Sequence, residues 1–513
     1  VRDLALSERG KTPAYSLDPS RADYACPAYQ EMVHRWKLVE DVRAGTMRFR
    51  AERETYLPKF EAEEEVDWNA RVNMTFAEDH YALTVVDHVG LVFQEPVELS
   101  DDVPPQIVAL AEDIDGEGNH LDVFAATALD SAIHLGHAVL LTDFPVTDAV
   151  RNLRDARDAK VRPYVTLYSA DDVLSWRTET VGGVAVLVQL MLREHATEAG
   201  GEFGVKDIER FREFRQAVTY DETTKRARSL GPVTWREFLR PEPGAPPVEV
   251  ATGTLKGPKR IPVRVVYGGE KLGALHTRPH LFGLALLNVE EAQVQSDYAS
   301  VMHKCNVPTP IFIGRQKPPT GTAETIKMGQ GIDVPVGGDA KMLEPSGTAL
   351  GATRQRLEDI RAAMARQGAT SGEALKNMTA REAAIQEKQR NAKLARAARS
   401  LQDALEGVFQ DIAAFLKLPS GGSAMVNMDF SSQRLDPAYL QVLLNAYAKG
   451  ALPLDAFMRA LQTGKLPDDF AAEEAALRLI AESAADVEEE VVDEDEQGME
   501  EDETPPMMDD AAA

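Results

Sequence analysis

The sequence predicts an α+β fold, mainly helical, and three observations predict it. From Ser346 to Leu418 there is no proline, and apolar residues recur there at helical spacing. Between Pro163 and Tyr267 the apolar residues are instead β-branched and aromatic, gathered in runs of strand length. A turn-rich island, Val307 to Pro345, separates two helical stretches and resembles neither. At 513 residues, 44% hydrophobic and 27% charged, the chain has the make-up of a folded protein and room for roughly three or four compact units.

Charge narrows the classes of function. Against 83 acids stand 56 Lys and Arg, a formal net charge of −27. From Asp486 to Asp510 there are 14 acids and no base, so the remainder carries −13. A generally basic nucleic-acid binder is thereby excluded, and contact with DNA would need local basic features. The acidic stretch has few large apolar residues, and its self-repulsion predicts disorder. Two distant cysteines, Cys26 and Cys305, support neither a disulfide framework nor a common four-ligand metal site, and fit a reducing compartment. The first residues hold no apolar block of the signal-peptide kind, and the apolar run Val181 to Leu192 is about half of what a membrane span needs. A soluble chain, cytoplasmic or assembled from the cytoplasm, is expected.

Taken in order, Leu121 to Leu135 reads as a helix that Gly136 ends, and Ala138-Val139-Leu140-Leu141 as a buried strand entering the turn Asp143-Phe144-Pro145. Tyr164 to Tyr168, Gly183 to Val188 and Val263 to Tyr267 read as strands, and the Pro- and Gly-rich segment Arg240 to Pro262 as a surface loop. Leu281 to Asn306 predicts a helix of ~39 Å, with an apolar stripe of Leu284, Leu287, Val294, Tyr298, Val301 and Cys305 broken only by Glu291. Pro308 and Pro310 stop it. After the island, Leu350, Leu357, Ile360 and Met364 mark a second helix; Gly368, Ser371 and Gly372 then break the pattern. A very long helix follows from Thr379, its stripe running through Leu394, Leu401, Leu405, Val408, Ile412 and Phe415. Beyond Asp429, two or three short helices turn at Gly450 and Gly464.

No set of residues in the sequence has the pattern of a catalytic site. Gly268-Gly269-Glu270-Lys271-Leu272-Gly273 lacks the residue order of a phosphate loop and reads as a hairpin turn. His134 and His137 could share a metal on one helical face, but Gly136 ends the helix between them and a structural role is favoured. Glu63-Glu64-Glu65 reads as solvated surface, Cys305 as a small buried hydrophobe. The bases Arg354, Arg356, Arg361 and Arg366, and Arg381, Lys388, Arg390, Lys393, Arg396 and Arg399, lie among acids and read first as solvated faces with ion pairs between turns.

Several short motifs nevertheless follow one another in a specific order. They are Tyr56-Leu57-Pro58 after the helix containing Trp36, Gly90-Leu91-Val92-Phe93-Gln94-Glu95-Pro96, and Ala138 to Leu141 with Asp143-Phe144-Pro145. Next come Ser296-Asp297-Tyr298 through Val307-Pro308-Thr309-Pro310 and Gly314, Val334-Pro335-Val336-Gly337-Gly338, Leu343-Glu344-Pro345-Ser346-Gly347, and Met378-Thr379-Ala380-Arg381-Glu382. In this order and spacing the chain resembles the portal proteins of tailed bacteriophages, the head–tail connectors, in a branch catalogued as a phage protein family of unknown function. The resemblance runs from about Pro27 to Phe470.

That resemblance implies a portal fold with wing, stem, clip and crown. Residues 1–26 would be an N-terminal arm, 27–280 the wing, 281–306 and 346–367 the stem helices and 307–345 the clip. Residues 368–378 would form the tunnel loop, 379–428 the long wing helix, 429–485 the crown and 486–513 the acidic tail. Family members form a ring, usually of twelve subunits, at one capsid vertex, through which double-stranded DNA is packaged and ejected. The implied partners are other copies of the chain, DNA in transit, the terminase large subunit, a head–tail adaptor, and major capsid or scaffold protein, with no membrane. The implied location is the virion's portal vertex, and the host cytoplasm during assembly. No enzyme activity, metal or cofactor is expected. Ser371, Lys376 and Asn377 would line the channel at the tunnel loop, and Arg315, Lys317, Lys327 and Lys341 would meet the motor or adaptor. These clip bases stand among Glu324, Asp333, Asp339 and Glu344, a departure from a strongly basic clip. Because the island isolates the stem helices, Leu284, Leu287, Tyr298, Leu357 and Ile360 are expected to pack partly against neighbouring subunits. Two other classes stay open: a cytoplasmic multidomain enzyme whose site is assembled from distant residues, and another virion structural protein such as a scaffold or adaptor.

Overall fold

The computed structural model describes residues 15–145, 161–221, 226–242, 244–305, 309–313, 336–343, 348–368, 380–428, 430, 437–450 and 452–463. Two compact units divide the chain, Val1–Phe430 and Ser431–Ala513. In the first, α1 (Pro27–Ala44), α2 (Thr46–Glu52), α3 (Glu65–Met74) and α4 (His80–Val92) precede β1 (Glu98–Leu99), α5 (Pro105–Ala111) and α6 (Leu121–Leu135). Strands β2 (His137–Asp143) and β3 (Tyr164–Ser169) follow, then β4 (Val173–Val181), β5 (Val184–Ala199), β6 (Val205–Tyr220), β7 (Ala227–Leu239), β8 (Val248–Thr254) and β9 (Val263–Tyr267). The short hairpin β10 (Glu270–Lys271) and β11 (Thr277–Arg278) leads to α7 (Phe282–Cys305), the ribbon β12 (Thr309–Ile313) and β13 (Asp339–Leu343), α8 (Thr348–Arg366), α9 (Ala380–Leu416) and β14 (Ala424–Met425). Helices and antiparallel sheets occur in separate blocks, which is an α+β arrangement. Among the described residues no helix is long and apolar enough to cross a membrane.

The layering follows from which faces are apolar. Strand β2 is buried along its whole length, because both its faces are covered; this is why it reads as an unbroken apolar run. It is the centre of a three-stranded sheet in the order β3-β2-β9. Ala138 and Leu140 face the main core with α6 and α9, while Val139 and Leu141 face Leu190, Leu192 and Phe214 of a second sheet, ordered β4-β5-β6-β7-β8. Thus helices, a small sheet and a large sheet are stacked in that order. The apolar stripe of α9 is buried throughout, from Leu394 to Phe415. Trp36 of α1 closes the core from the other side, its indole N–H donating to the Leu135 carbonyl at 2.8 Å.

Gly136 takes a left-handed φ of 100°, capping α6 with an N–H bond to Ala132 of 2.9 Å. Its carbonyl then accepts from Gly268 and Gly269, at 3.2 and 2.8 Å. The glycine pair therefore serves close packing on the end of α6; Glu270–Lys271 is a strand of the hairpin, and its turn falls at Leu272 to His276, later than the expected Gly268 to Gly273. A Cβ on Gly268 would sit inside the backbone of Ala132 and Ile133. We predict that Gly268→Ala costs about 2–4 kcal/mol, since backbone rather than a side chain must yield. A urea midpoint equal to that of the parent chain would refute it.

Three expectations need correction. Arg240 to Pro262 is not all loop: Val248–Thr254 pairs with β7 as an edge strand, and its flanking prolines and glycines masked it. Glu63 is no solvated acid, for its carboxylate forks onto Arg71 at 2.8 Å twice and is nearly buried. The face that α7 buries is Leu284, Ala285, Asn288, Val289, Ala292 and Ser296, and Val301 is 41% exposed, so the core-facing stripe is rotated from the one the spacing suggested. Ahead of α1, Tyr15 to Cys26 is strapped onto the large sheet: the Cys26 N–H donates to Leu174, and Asp23 pairs with Arg240 at 3.0 Å.

In the second unit, α10 (Pro437–Ala448) and α11 (Leu454–Thr463) pack through Leu443, Leu452, Phe457 and Ala460, with Tyr447 stacked on Phe457 at 4.9 Å. Gly450 turns the chain between them at φ 72°. The expected turn at Gly464 and the acidic stretch lie outside the described residues.

Candidate functional site

Helices α7 and α8 run back along each other, joined at one end by the ribbon β12–β13, whose register pairs Thr309 with Leu343 and Ile313 with Asp339. At the other end they are fixed in the α/β body, and polar side chains of α7 make the attachment. Asn288 accepts from the Tyr81 N–H at 3.0 Å and donates to the Glu78 carbonyl at 2.8 Å. Gln293 donates to the Tyr56 carbonyl, and Gln295 to the Glu78 carboxylate, at 2.8 and 2.9 Å. The hydroxyls of Thr75 and Ser296 bond at 2.8 Å. Each such group must find a partner when buried, so together they specify one docking angle for the hairpin.

Glu291, 1% exposed, is the centre of this attachment. Arg361 of α8 binds it at 2.8 Å and binds Glu78 at 2.6 Å, while His80 at the start of α4 lies 3.1 Å from Glu291 and 3.0 Å from Glu78. Burial disfavours charge on His80, but the hydrogen bond to Glu291 and the charges of Glu291 and Glu78 outweigh it and raise its pKa. Burial likewise opposes charge on Glu291, and its bonds to His80 and Arg361 outweigh that and lower its pKa. The three donors Glu78, His80 and Glu291 lie close enough to share a small cation, yet Arg361 already supplies positive charge there. We read the group as an ionic clamp that ties both helices to the body. The residue that broke the apolar stripe in the sequence was its signal; Glu78, His80 and Arg361 had none.

Burial fades along the hairpin away from this clamp. Ile360, Met364 and Ala365 are buried near the base, whereas Gly351, Ala352, Arg354 and Arg356 are exposed toward the ribbon. Leu284 and Ile360 are completely enclosed within their own chain, so they have no surface to offer a neighbouring subunit, contrary to expectation. Leu287, Tyr298 and Leu357 are half-buried. Lys341 is exposed on β13, 3.4 Å from Asp339. Arg315, Lys317, Lys327, Ser371, Lys376 and Asn377 lie outside the described residues. Among the described residues, Arg354, 3.2 Å from Glu358, shows the expected pairing between turns, whereas Arg356 and Arg361 pair across to Glu290 and Glu291 of α7.

Elsewhere the chemistry is absorbed locally. His134 is held by the Tyr81 hydroxyl at 3.0 Å and His137 by Thr277 at 2.9 Å, so the two imidazoles answer to different partners. A cavity of about 440 Å³ opens beside Asp143, Tyr164, Glu194, Arg212 and Trp235 in the large sheet. Of the two guanidinium groups that line it, Arg212 is already neutralised by Asp143 at 2.6 Å and Glu194 at 3.3 Å, and Arg210 lies 3.8 Å from Glu194.

Residues 280–416, the two hairpin helices with their ribbon and α9, match a family model described as a domain of unknown function, DUF4055. No curated protein matches the chain. Among solved structures, the virion of a native gene transfer agent particle is similar at 11% identity and a TM-score of 0.37, covering 76% of this chain and 91% of that one. The neck of the empty particle, computed with C6 symmetry, is similar at 10% identity and 0.37, covering 76% and 90%. The neck of the native particle, computed with C12 symmetry, gives 11% and 0.34, covering 76% and 91%.

Proposed function

We propose that the chain is a portal-type head–tail connector: a non-enzymatic virion protein that closes into a ring, usually of twelve copies in proteins of this kind, around a channel for double-stranded DNA. The observation that carries this reading is the helical hairpin clamped at its base and thinning in burial toward the ribbon. A hairpin of that kind, with Leu287, Tyr298 and Leu357 only half covered, leaves apolar flank on each side, and side-by-side copies in a head-to-tail ring would cover it. The order of motifs from Trp36 to Glu382 supports the same reading. On it, α7 and α8 are the stem, residues 307–345 the clip, residues 368–378 the tunnel loop and residues 429–485 the crown. The clip, with Lys341, would meet the terminase motor and the adaptor. Net negative charge suits a conduit, because a wall that bound many phosphates would stall the duplex.

Mass photometry and negative-stain electron microscopy of the full chain test the proposal. Closed rings are expected, and a monodisperse monomer across the micromolar range would overturn it. Within such rings, Lys376→Ala is expected to leave assembly intact and to weaken DNA retention less than Gly372→Pro, which restricts the backbone of the proposed tunnel loop. Packaged DNA length and retention unchanged in both variants would remove the tunnel loop from the channel.

A further inference from the structure

In a chain this acidic, the described arginines are mostly tied to carboxylates: Arg43 to Asp130 at 2.7 Å, Arg71 to Glu63 at 2.8 Å, Arg264 to Asp411 at 2.7 Å. One flank of α9 departs from this. Arg390, Lys393 and Arg396 follow one another at intervals of three, fanning from the edge of the buried stripe of Leu394, Ala397 and Leu401 toward solvent. None of them has an ion-pair partner among the described residues. Two histidines join them from other elements: His88 on the buried face of α4, and His280 just ahead of α7. The Nε2 of His88 and the Nε of Arg390 are both buried without a hydrogen-bond partner, an expensive state for a polar atom in a folded core.

We propose that this flank is an oxyanion seat, in which Arg390, Lys393 and Arg396, with His280 beside them and His88 beneath, take a phosphate of a nucleic-acid backbone. The seat rests on its own charges; the duplex as source of the phosphate rests on the channel reading above. Three cations of α9 meet two imidazoles, from α4 and from the approach to α7, and an anion relieves the repulsion among the cations while giving Arg390 an acceptor. Burial, then Arg390 and His280, hold His88 down at about 4, with Asp87 opposing and Lys393 adding to the effect. Burial, then Lys393 and Arg396, lower His280, against Glu270 and alongside Arg278. A bound phosphate reverses the sign of the local field, so both imidazoles then take up protons more readily. Lys393 and Arg396 are exposed, which makes the contact weak and steeply salt-dependent, as a sliding duplex requires.

The test uses the full chain and a fluorescein-labelled duplex of about 30 base pairs, followed by anisotropy from 25 to 200 mM salt. Each of Arg390→Gln, Lys393→Gln and Arg396→Gln is expected to lower the salt slope by about 1, and the triple variant to lose roughly 10- to 100-fold in affinity at the lowest salt. Lys206→Gln, at a distant strand end, should change neither. Affinity should rise between pH 7.5 and 6 in the parent and less so in His280→Asn. Inorganic phosphate should displace the duplex at an ionic strength where chloride does not. Phosphate binding without duplex binding would keep the seat and replace its source by a free anion. A triple variant with parental affinity, salt slope and phosphate response would overturn the seat. If electron micrographs show no rings while the triple variant still loses duplex affinity, the channel reading fails and the seat stands.

Discussion

Lowering the pH from 6.5 toward 4 is expected to bring the urea midpoint down steeply, because three histidines are folded into places that tolerate only the neutral ring. Burial presses His137 down to about 3, with His276 adding to the effect; burial presses His134 to about 4, with Arg43 adding and Asp130 opposing. His88 stands at about 4 for the reasons given above. Across this window the unfolded chain binds protons that the folded chain refuses, so each proton favours unfolding. The stability these rings contribute is whole above the unfolded value of about 6.5, and each could cost on the order of 3 kcal/mol once pH 4 is reached. His80 has the opposite sign: its raised pKa gives stability that is whole below about 6.5 and lost as the pH climbs through the folded value. It therefore does not offset the acid loss within the window. His134→Phe should flatten the profile by about one proton, and a midpoint indifferent to pH between 6.5 and 4.5 would refute the account.

Arg361→Ala is expected to cost about 3–5 kcal/mol, the range for breaking a buried ion pair by removing one partner. Glu291 would stay enclosed with only His80 for company, and Glu78 would lose its closest cation. A second variant separates charge from packing: Arg361→Met with Glu291→Gln removes both charges and should cost clearly less than the sum of the single changes. Chemical denaturation read by circular dichroism measures all of these. A loss under about 1 kcal/mol for Arg361→Ala would show that water or a neighbouring group already screens Glu291.

What could be read from the sequence was whatever a single element decides by itself. The α6 helix ending at Gly136 and the long stripe of α9 follow from local periodicity, because one face of each meets the main core, and β2 follows from its unbroken apolar run, because both its faces are covered. What could not be read needed two elements at once. The docking face of α7 is set by Glu78, Tyr81 and Thr75, more than two hundred residues earlier, and these reward Asn288 and Ser296 where a simple amphipathic helix would place leucine. The strap from Tyr15 to Cys26 is invisible in the sequence for the same reason, since Arg193 and Arg240 of the sheet are its anchors. Strand β8 was hidden by composition, its alternating Val-Glu-Val set between prolines and glycines.

Strands β5 and β6 are each 16 residues long, but the body beneath them is shorter than they are. Leu190 to Arg193 and Phe211 to Phe214 lie over it, whereas the hairpin end reaches past it toward the turn that holds Phe203, itself 93% exposed, with Thr197, Glu198 and Ala199 still paired to Asp207, Lys206 and Val205. Every rung is the same backbone bond, so deuterium should enter this ladder as a gradient. Amides near Glu198 and Lys206 would exchange through local fraying within seconds to minutes, and those of Leu190, Leu192 and Phe214 only when the whole unit opens. The hairpin is a ruler laid across the edge of the core, on which the protection of otherwise equivalent hydrogen bonds measures how much stability the side chains beneath them confer.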